Sequence, residues 1–232
     1  MQITAIDDMP HPDAGCEEWV FAAWAPDGNF GVVSGHRIIG RSAWFWFGLV
    51  QAGHPLLAIT EWDVRLRSDP FIVKAPEMWA EHHCVAPMEQ WTVGNEAHAV
   101  ALDDPDEALG RAYGVPTPLT TDLEWYASAP VVELSAVELP DDQAGWRGYV
   151  QEGVVHGLVE LLDRPNIEVA EIPARRWHRW SAPGQLSMSP LLVEPVIAHT
   201  GLRVPVAFPD GMIADWVLSS DGWRSRARHH HG

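Results

Sequence analysis

The chain has 232 residues, a formal net charge of −17, 47% hydrophobic residues and 20% charged ones. That composition supplies a core and excludes a disordered chain. The charge excludes phosphate-backbone recognition, which needs clustered Lys and Arg, and argues against an anionic membrane surface; mutual repulsion that keeps a soluble protein dispersed is its plainer meaning.

Thirteen Trp stand against three Tyr and one Lys, and the Trp recur inside strand-like runs. Two Cys, Cys16 and Cys84, give neither a disulfide framework nor a CxxC pair. No uninterrupted apolar run approaches the ~20 residues needed to span a bilayer, so no membrane insertion is expected.

Residues 1–16 read as a polar, acidic, Pro-containing arm with neither the basic start nor the apolar run of a leader, so the expected location is cytoplasmic. EEWVFAAW, from Glu17, then reads as a strand, and Pro26-Asp27-Gly28 turns it into NFGVVSG. SAWFWFGLVQ (42–51) is apolar on both faces. Ala43, Phe45, Phe47 and Leu49 lie on one face, Trp44, Trp46 and Val50 on the other. Such a strand has to be covered twice, as in a barrel with an apolar interior and an exterior packed by another element.

After the turn at Ala52–Pro55, LLAITEWDVRLR predicts a strand with one wet face. Leu56, Ala58, Thr60, Trp62, Val64 and Leu66 alternate with Glu61, Asp63, Arg65 and Arg67. Strands over Met78–Ala86 and Glu89–Leu102 follow around Pro87. Pro105–Tyr113 is the best helix candidate, and it is short. Residues 136–148 read as a linker. Beyond it YVQEGVVHGLVEL alternates again, and the last fifty residues hold shorter strand candidates such as LLVEPVIAH (191–199).

Strands at this spacing, joined by short turns, predict an all-β antiparallel fold. The expected organisation is an arm (1–16), a β domain (17–135) and a smaller or incomplete β lobe (149–232).

Ionisable groups in these strands mark candidate chemistry. Glu81 and His83 share a face with Trp79, and Glu96 and His98 repeat the spacing on the next strand. If a hairpin brought both pairs to one apolar face, their pKa values would shift and suit acid–base work; the alternative is a polar outer face. His82 points away from His83, so that pair makes a poor metal site, and no metal is expected. In RRWHRW (Arg175–Trp180) the flanking cations favour a neutral His178, as a site residue or within an ion-pair seam. No GxGxxG, P-loop, GxSxG or HExxH occurs, so no organic cofactor is expected.

The ordered set E-x-W-x-F…PDG, W-x-W/F, Trp79-Ala80-Glu81, P-x-E-x-W-T-V-G-x-E-A, LDDP, D-L-E-W, G-x-V-x-G and R-x-H-x-W resembles one family over residues 17–180. It is the tandem-lipocalin family of actinobacterial proteins related to hydroxyneurosporene synthase (carotenoid 1,2-hydratase) and to the AttH-like proteins. Glu17 and Trp19 match the opening motif, Glu81, Glu89, Trp91 and Glu96 the central hairpin, Glu124 and Trp125 the LEW strand, and His178 and Trp180 the last motif. Two departures stand out: Trp177 replaces the acid that usually precedes the histidine, and about fifty residues follow where a full second barrel is usual.

The resemblance implies two abutting lipocalin-like β-barrels, the second truncated here, and an apolar ligand of isoprenoid, steroid or polyketide type. The candidate catalytic residues are therefore Glu81, Glu89, Glu96, His98 and His178. The candidate ligand-binding residues are Trp19, Trp44, Trp46, Trp79, Trp91, Trp125 and Trp180. The expected function is cofactor-independent hydration, isomerisation or cyclisation of a hydrophobic small molecule by a protein that can pair as a homo-oligomer. The alternatives are a non-catalytic hydrophobic carrier and a carbohydrate-binding β-sandwich.

Overall fold

The computed structural model describes residues 3–134, 146–162, 164–182 and 201–229. Most of the predicted linker and the strand candidate LLVEPVIAH lie outside the described residues. The fold is all-β and antiparallel, with two short 3-10 helices at Ala5–Asp8 and Pro105–Leu109. No helix among the described residues is long and apolar enough to cross a membrane.

Among the described residues, fourteen strands form two sheets. The large sheet contains β1 (Cys16–Trp24), β2 (Phe30–Ile39), β3 (Ser42–Gln51), β4 (Leu56–Arg65), β5 (Ile72–Ala75), β6 (Met78–Ala86), β7 (Gln90–Leu102), β8 (Val115–Ala127), β9 (Val132–Glu133), β10 (Arg147–Leu161) and β11 (Ile167–Trp180). The small one contains β12 (Leu202–Ala207), β13 (Met212–Ser219) and β14 (Gly222–His229).

The large sheet runs β4-β3-β2-β1-β11-β10-β8-β7-β6-β5, with β9 on β10. Its curl brings β4 back onto β7 through three residue pairs, Leu56–Leu102, Leu57–Ala101 and Ala58–Val100. Further along, the same edge of β7 is taken by β6. The result is barrel-like, closed by direct pairing at one end and by the β5–β6 hairpin at the other. Residues 149–180, in the stretch expected to form the second lobe, contribute to β10 and β11, which lie between β8 and β1 in this sheet. Only β12–β14 form a sheet of their own.

The two-faced strand is covered on both sides. Phe45, Phe47 and Leu49 join the interior cluster with Trp19, Phe21 and Trp125. Trp44, Trp46 and Val50 join an outer cluster with Val20, Trp24 and the residues of β12 and β13. The small sheet thus packs on the outside of β1–β3, which is what an apolar outer face demands. Gly48 permits the contact, because a Cβ there would lie 2.2 Å from Val204 Cγ1.

The expected single wet face of β4 is corrected. Leu57 and Ile59 point into the interior, while Leu56, Ala58 and Trp62 point to the outer cluster. Register shifts where β3 pairs with β4 between Ala43 and Phe45, and Asp63 adopts a φ of 56°. The extra residue flips the alternation, so Val64 and Leu66 pack against the interior cluster.

Candidate functional site

The chain before β1 crosses the end of the barrel at which β1 begins and β11 ends. Its carboxylates point inward: Asp8 is fully buried and Asp7 nearly so, while Ile6 is 78% and Met9 38% exposed. A polar strap on an aromatic mouth is the opposite of the usual burial order, so specific partners have to hold it.

Asp8 has five donors. Its carboxylate accepts from Arg176 Nη1 at 2.5 Å and Nη2 at 3.2 Å, from Met88 N at 2.5 Å, from Trp91 Nε1 at 3.2 Å, and from the Tyr149 hydroxyl. Gln151 Oε1 takes two further Arg176 donors at 3.0 and 2.7 Å. The guanidinium also lies over the rings of Trp125, Tyr149 and Trp91. Burial pushes the Asp8 carboxyl up, but the Arg176 charge and the hydrogen bonds from Arg176, Tyr149 and the Met88 amide together hold its pKa below the usual range.

Beside this socket, Glu17 Oε1 accepts from His11 Nδ1 at 2.6 Å and from His178 Nε2 at 2.8 Å, and Glu17 Oε2 accepts from the His11 backbone N–H at 2.9 Å. Strand register sets this up. Glu17 and Trp19 project from one face of β1, and Trp19 pairs across to His178 on β11. The rings stack in alternation, His178 on Trp19 at 4.5 Å and His11 on Trp180 at 4.1 Å.

The three groups divide into roles. Burial raises the Glu17 carboxyl, yet the hydrogen bonds from His11 and His178 together bring it below its ordinary pKa. Burial lowers His178, and the opposing pull of Glu17 does not restore it, so His178 is neutral. Burial also lowers His11, but the hydrogen bonds and negative charges of Glu17 and Asp7 together raise it above 6.5. Glu17 and Asp7 thus favour the protonated form of His11, while burial holds His178 neutral. His11 is also the partly exposed member, lining a surface depression of about 490 Å³ with Pro12, Asp13, Arg147 and Trp180.

His11, Glu17 and His178 also offer ligand atoms within 4.8 Å of one another, close enough to hold a divalent ion. As found, both imidazoles donate to one carboxylate oxygen. His178 Nδ1 has no hydrogen-bond partner among the described residues, whereas a metal-bound imidazole is normally fixed by one.

The sequence candidates fall on different sides of the sheet. His178 is buried in the site. Glu89, Glu96 and His98 are exposed and Glu81 is half-buried. The shared face proposed for Trp79, Glu81 and His83 exists, but it is the outer one. Its neighbours Met78, Ala80 and His82 turn inward, where His82 Nε2 meets Ser34 Oγ at 2.8 Å. Among the tryptophans, Trp19, Trp91 and Trp125 line the interior, Trp44 and Trp46 the outer cluster, and Trp180 the mouth.

The sequence missed Asp8, His11, Tyr149 and Arg176 as site residues, and marked Glu17 only as a match to the family's opening motif. Asp8 and His11 lie in a segment without periodicity, where no signal marks them. Tyr149 and Arg176 do share the inward alternation of His178 on paired strands, a trace that could have found them.

An apolar void of about 20 Å³, lined by Phe21, Ser34, Trp125 and neighbours, lies among the interior residues. That is room for about one water molecule.

No protein-family model matches this chain, and no curated protein matches it.

Proposed function

We propose that the protein is a lipocalin-like barrel, related to the hydroxyneurosporene synthase and AttH-like tandem lipocalins, that receives an apolar small molecule at its aromatic mouth. In this reading β12–β14 stand where the second barrel of that family would be. His11 protonates the bound molecule, in a hydration, isomerisation or cyclisation that uses no organic cofactor. The observation that carries this is the shared Glu17 oxygen. It favours the protonated form of His11 and holds that imidazole, stacked on Trp180, at the wall of a surface depression.

Glu17 holds the charge, and neutral His178 fixes the carboxylate from the other side. The interior void of about 20 Å³ is too small for such a molecule, whereas the depression beside His11 falls within the ~300–1,000 Å³ range of small-molecule sites.

The test is a panel of sterols, isoprenoid fragments and polycyclic enones followed by tryptophan emission, with turnover read as deuterium uptake from D₂O. Binding with one deuterium per turnover is expected in the wild type. His11→Gln should retain binding and lose uptake, because a group acting in the transition state lowers rate without weakening ground-state binding. Uptake that survives His11→Gln refutes the assignment.

A further inference from the structure

The Asp8 socket is built for a carboxylate that need not be Asp8. We propose that the cluster of Arg176, Tyr149, Trp91 and the Met88 amide is the head-group site for an apolar carboxylic acid, and that the N-terminal arm occupies it as an internal competitor. This rests on the reading that the mouth takes an apolar molecule, and it narrows that molecule to an acid.

The donor set is complete without any help from the arm. A buried guanidinium presents two nitrogens to one carboxylate, the geometry that makes arginine selective for planar oxyanions. A phenol, an indole N–H and a backbone N–H supply three more donors. Gln151 fixes the guanidinium from behind and anchors itself to the Met88 and Ala129 carbonyls at 3.0 Å. All of these groups belong to the large sheet or its turns, whereas the carboxylate comes from a separate strap.

His11 is the strap's other anchor, through Glu17 and Trp180, whereas the segment up to Met9 has little apolar attachment. Its apolar side chains Ile6 and Met9 face water, so release of the arm sacrifices little hydrophobic burial. Arm residues wall two surface depressions. Met9 and Pro10 face Pro70, Phe71 and Cys84 on one side, and His11 and Pro12 face Trp180 on the other. An acid whose carboxylate replaced that of Asp8 would lay its apolar body along the track the arm leaves. That body would pass the position from which His11 approaches.

Competition by a tethered carboxylate predicts weak affinity in the wild type and gain on its removal, since the tether presents Asp8 at high effective concentration. Decanoate, decanol and acetate are the probes, with Asp8→Ala as the variant. Decanoate should bind Asp8→Ala at least tenfold tighter than wild type, and decanol should show no such gain. Acetate should raise the melting temperature of Asp8→Ala above that in chloride of equal ionic strength, and leave wild type unchanged.

Equal decanoate affinity in both proteins, or no stabilisation by acetate, overturns the proposal. If acetate rescues while neither decanoate nor decanol binds either protein, the apolar-ligand reading falls and the ligand class falls with it. Asp8→Asn, which keeps the shape and removes the charge, replaces Asp8→Ala should that variant not fold, with the same decanoate gain expected.

Discussion

At the residue scale the mouth is a set of buried ionic choices that only work together. Glu17 carries charge in an apolar stack because two imidazoles donate to it, and removal of either leaves a buried carboxylate short of partners. Glu17→Gln is expected to return His11 toward its ordinary pKa and to cost about 1–3 kcal/mol of stability, the usual penalty for leaving buried donors short of an acceptor, measured by urea unfolding.

His11 has a raised folded pKa, so its contribution is complete below pH 6.5 and is lost as pH climbs through the raised value. Turnover should therefore fall on the alkaline side of pH 6.5, and a rate that rises there would contradict the role given to His11. A chelator should leave the melting temperature unchanged apart from any effect at the terminal His229–His231 run, because hydrogen bonds already satisfy the three ligand atoms. A large drop would identify the cluster as a metal centre.

At the element scale the outer face of β3 decides how the two sheets meet. Gly48 accepts Val204, Arg37 lies over the Phe208 ring at 4.5 Å, and the Trp223 indole donates to the Ala23 carbonyl at 2.9 Å. Gly48→Val would drive a branched side chain into β12 and should cost roughly 1–3 kcal/mol, with faster proteolysis between residues 201 and 229. Unchanged protection there would mean that the small sheet is held elsewhere.

This face was legible, since SAWFWFGLVQ announces two apolar sides in its alternation. The wet face of β4 was not, because the flip at Asp63 depends on a backbone conformation that Asp tolerates without advertising it. The hairpin of β6 and β7 was legible as a pair but not in its direction. Period-2 spacing groups Glu81 with His83 and Glu96 with His98, yet nothing local says which face turns to water. Pairing of β11 with β1, which creates the site by joining Glu17 to His178, spans about 160 residues and leaves no local trace.

At the scale of the whole molecule, a highly acidic protein holds three of its arginines inside. Arg37 and Arg179 meet Glu18, Arg176 meets Asp8, and all five are at least nine-tenths buried. The barrel also buries neutral histidines. Burial lowers His36 to about 4 and His82 well below 6.5. The unfolded chain takes up protons below pH 6.5 that these folded rings refuse, so stability should decline from pH 6.5 toward 4, by up to about 1.4 kcal/mol per pH unit for each ring. His36→Gln should flatten that slope by about one proton's worth in urea titrations across the interval. An identical slope would show that His36 is protonated in the folded protein.

The central claim is that a protonated His11, held by Glu17, stands at the mouth. The direct measurement is an NMR titration of the histidine ring resonances in the wild type and in Glu17→Gln. The account predicts a His11 midpoint above 6.5 that moves down in Glu17→Gln, with His178 remaining neutral through the same range. A His11 midpoint at or below 6.5 in the wild type, unmoved by Glu17→Gln, would contradict it.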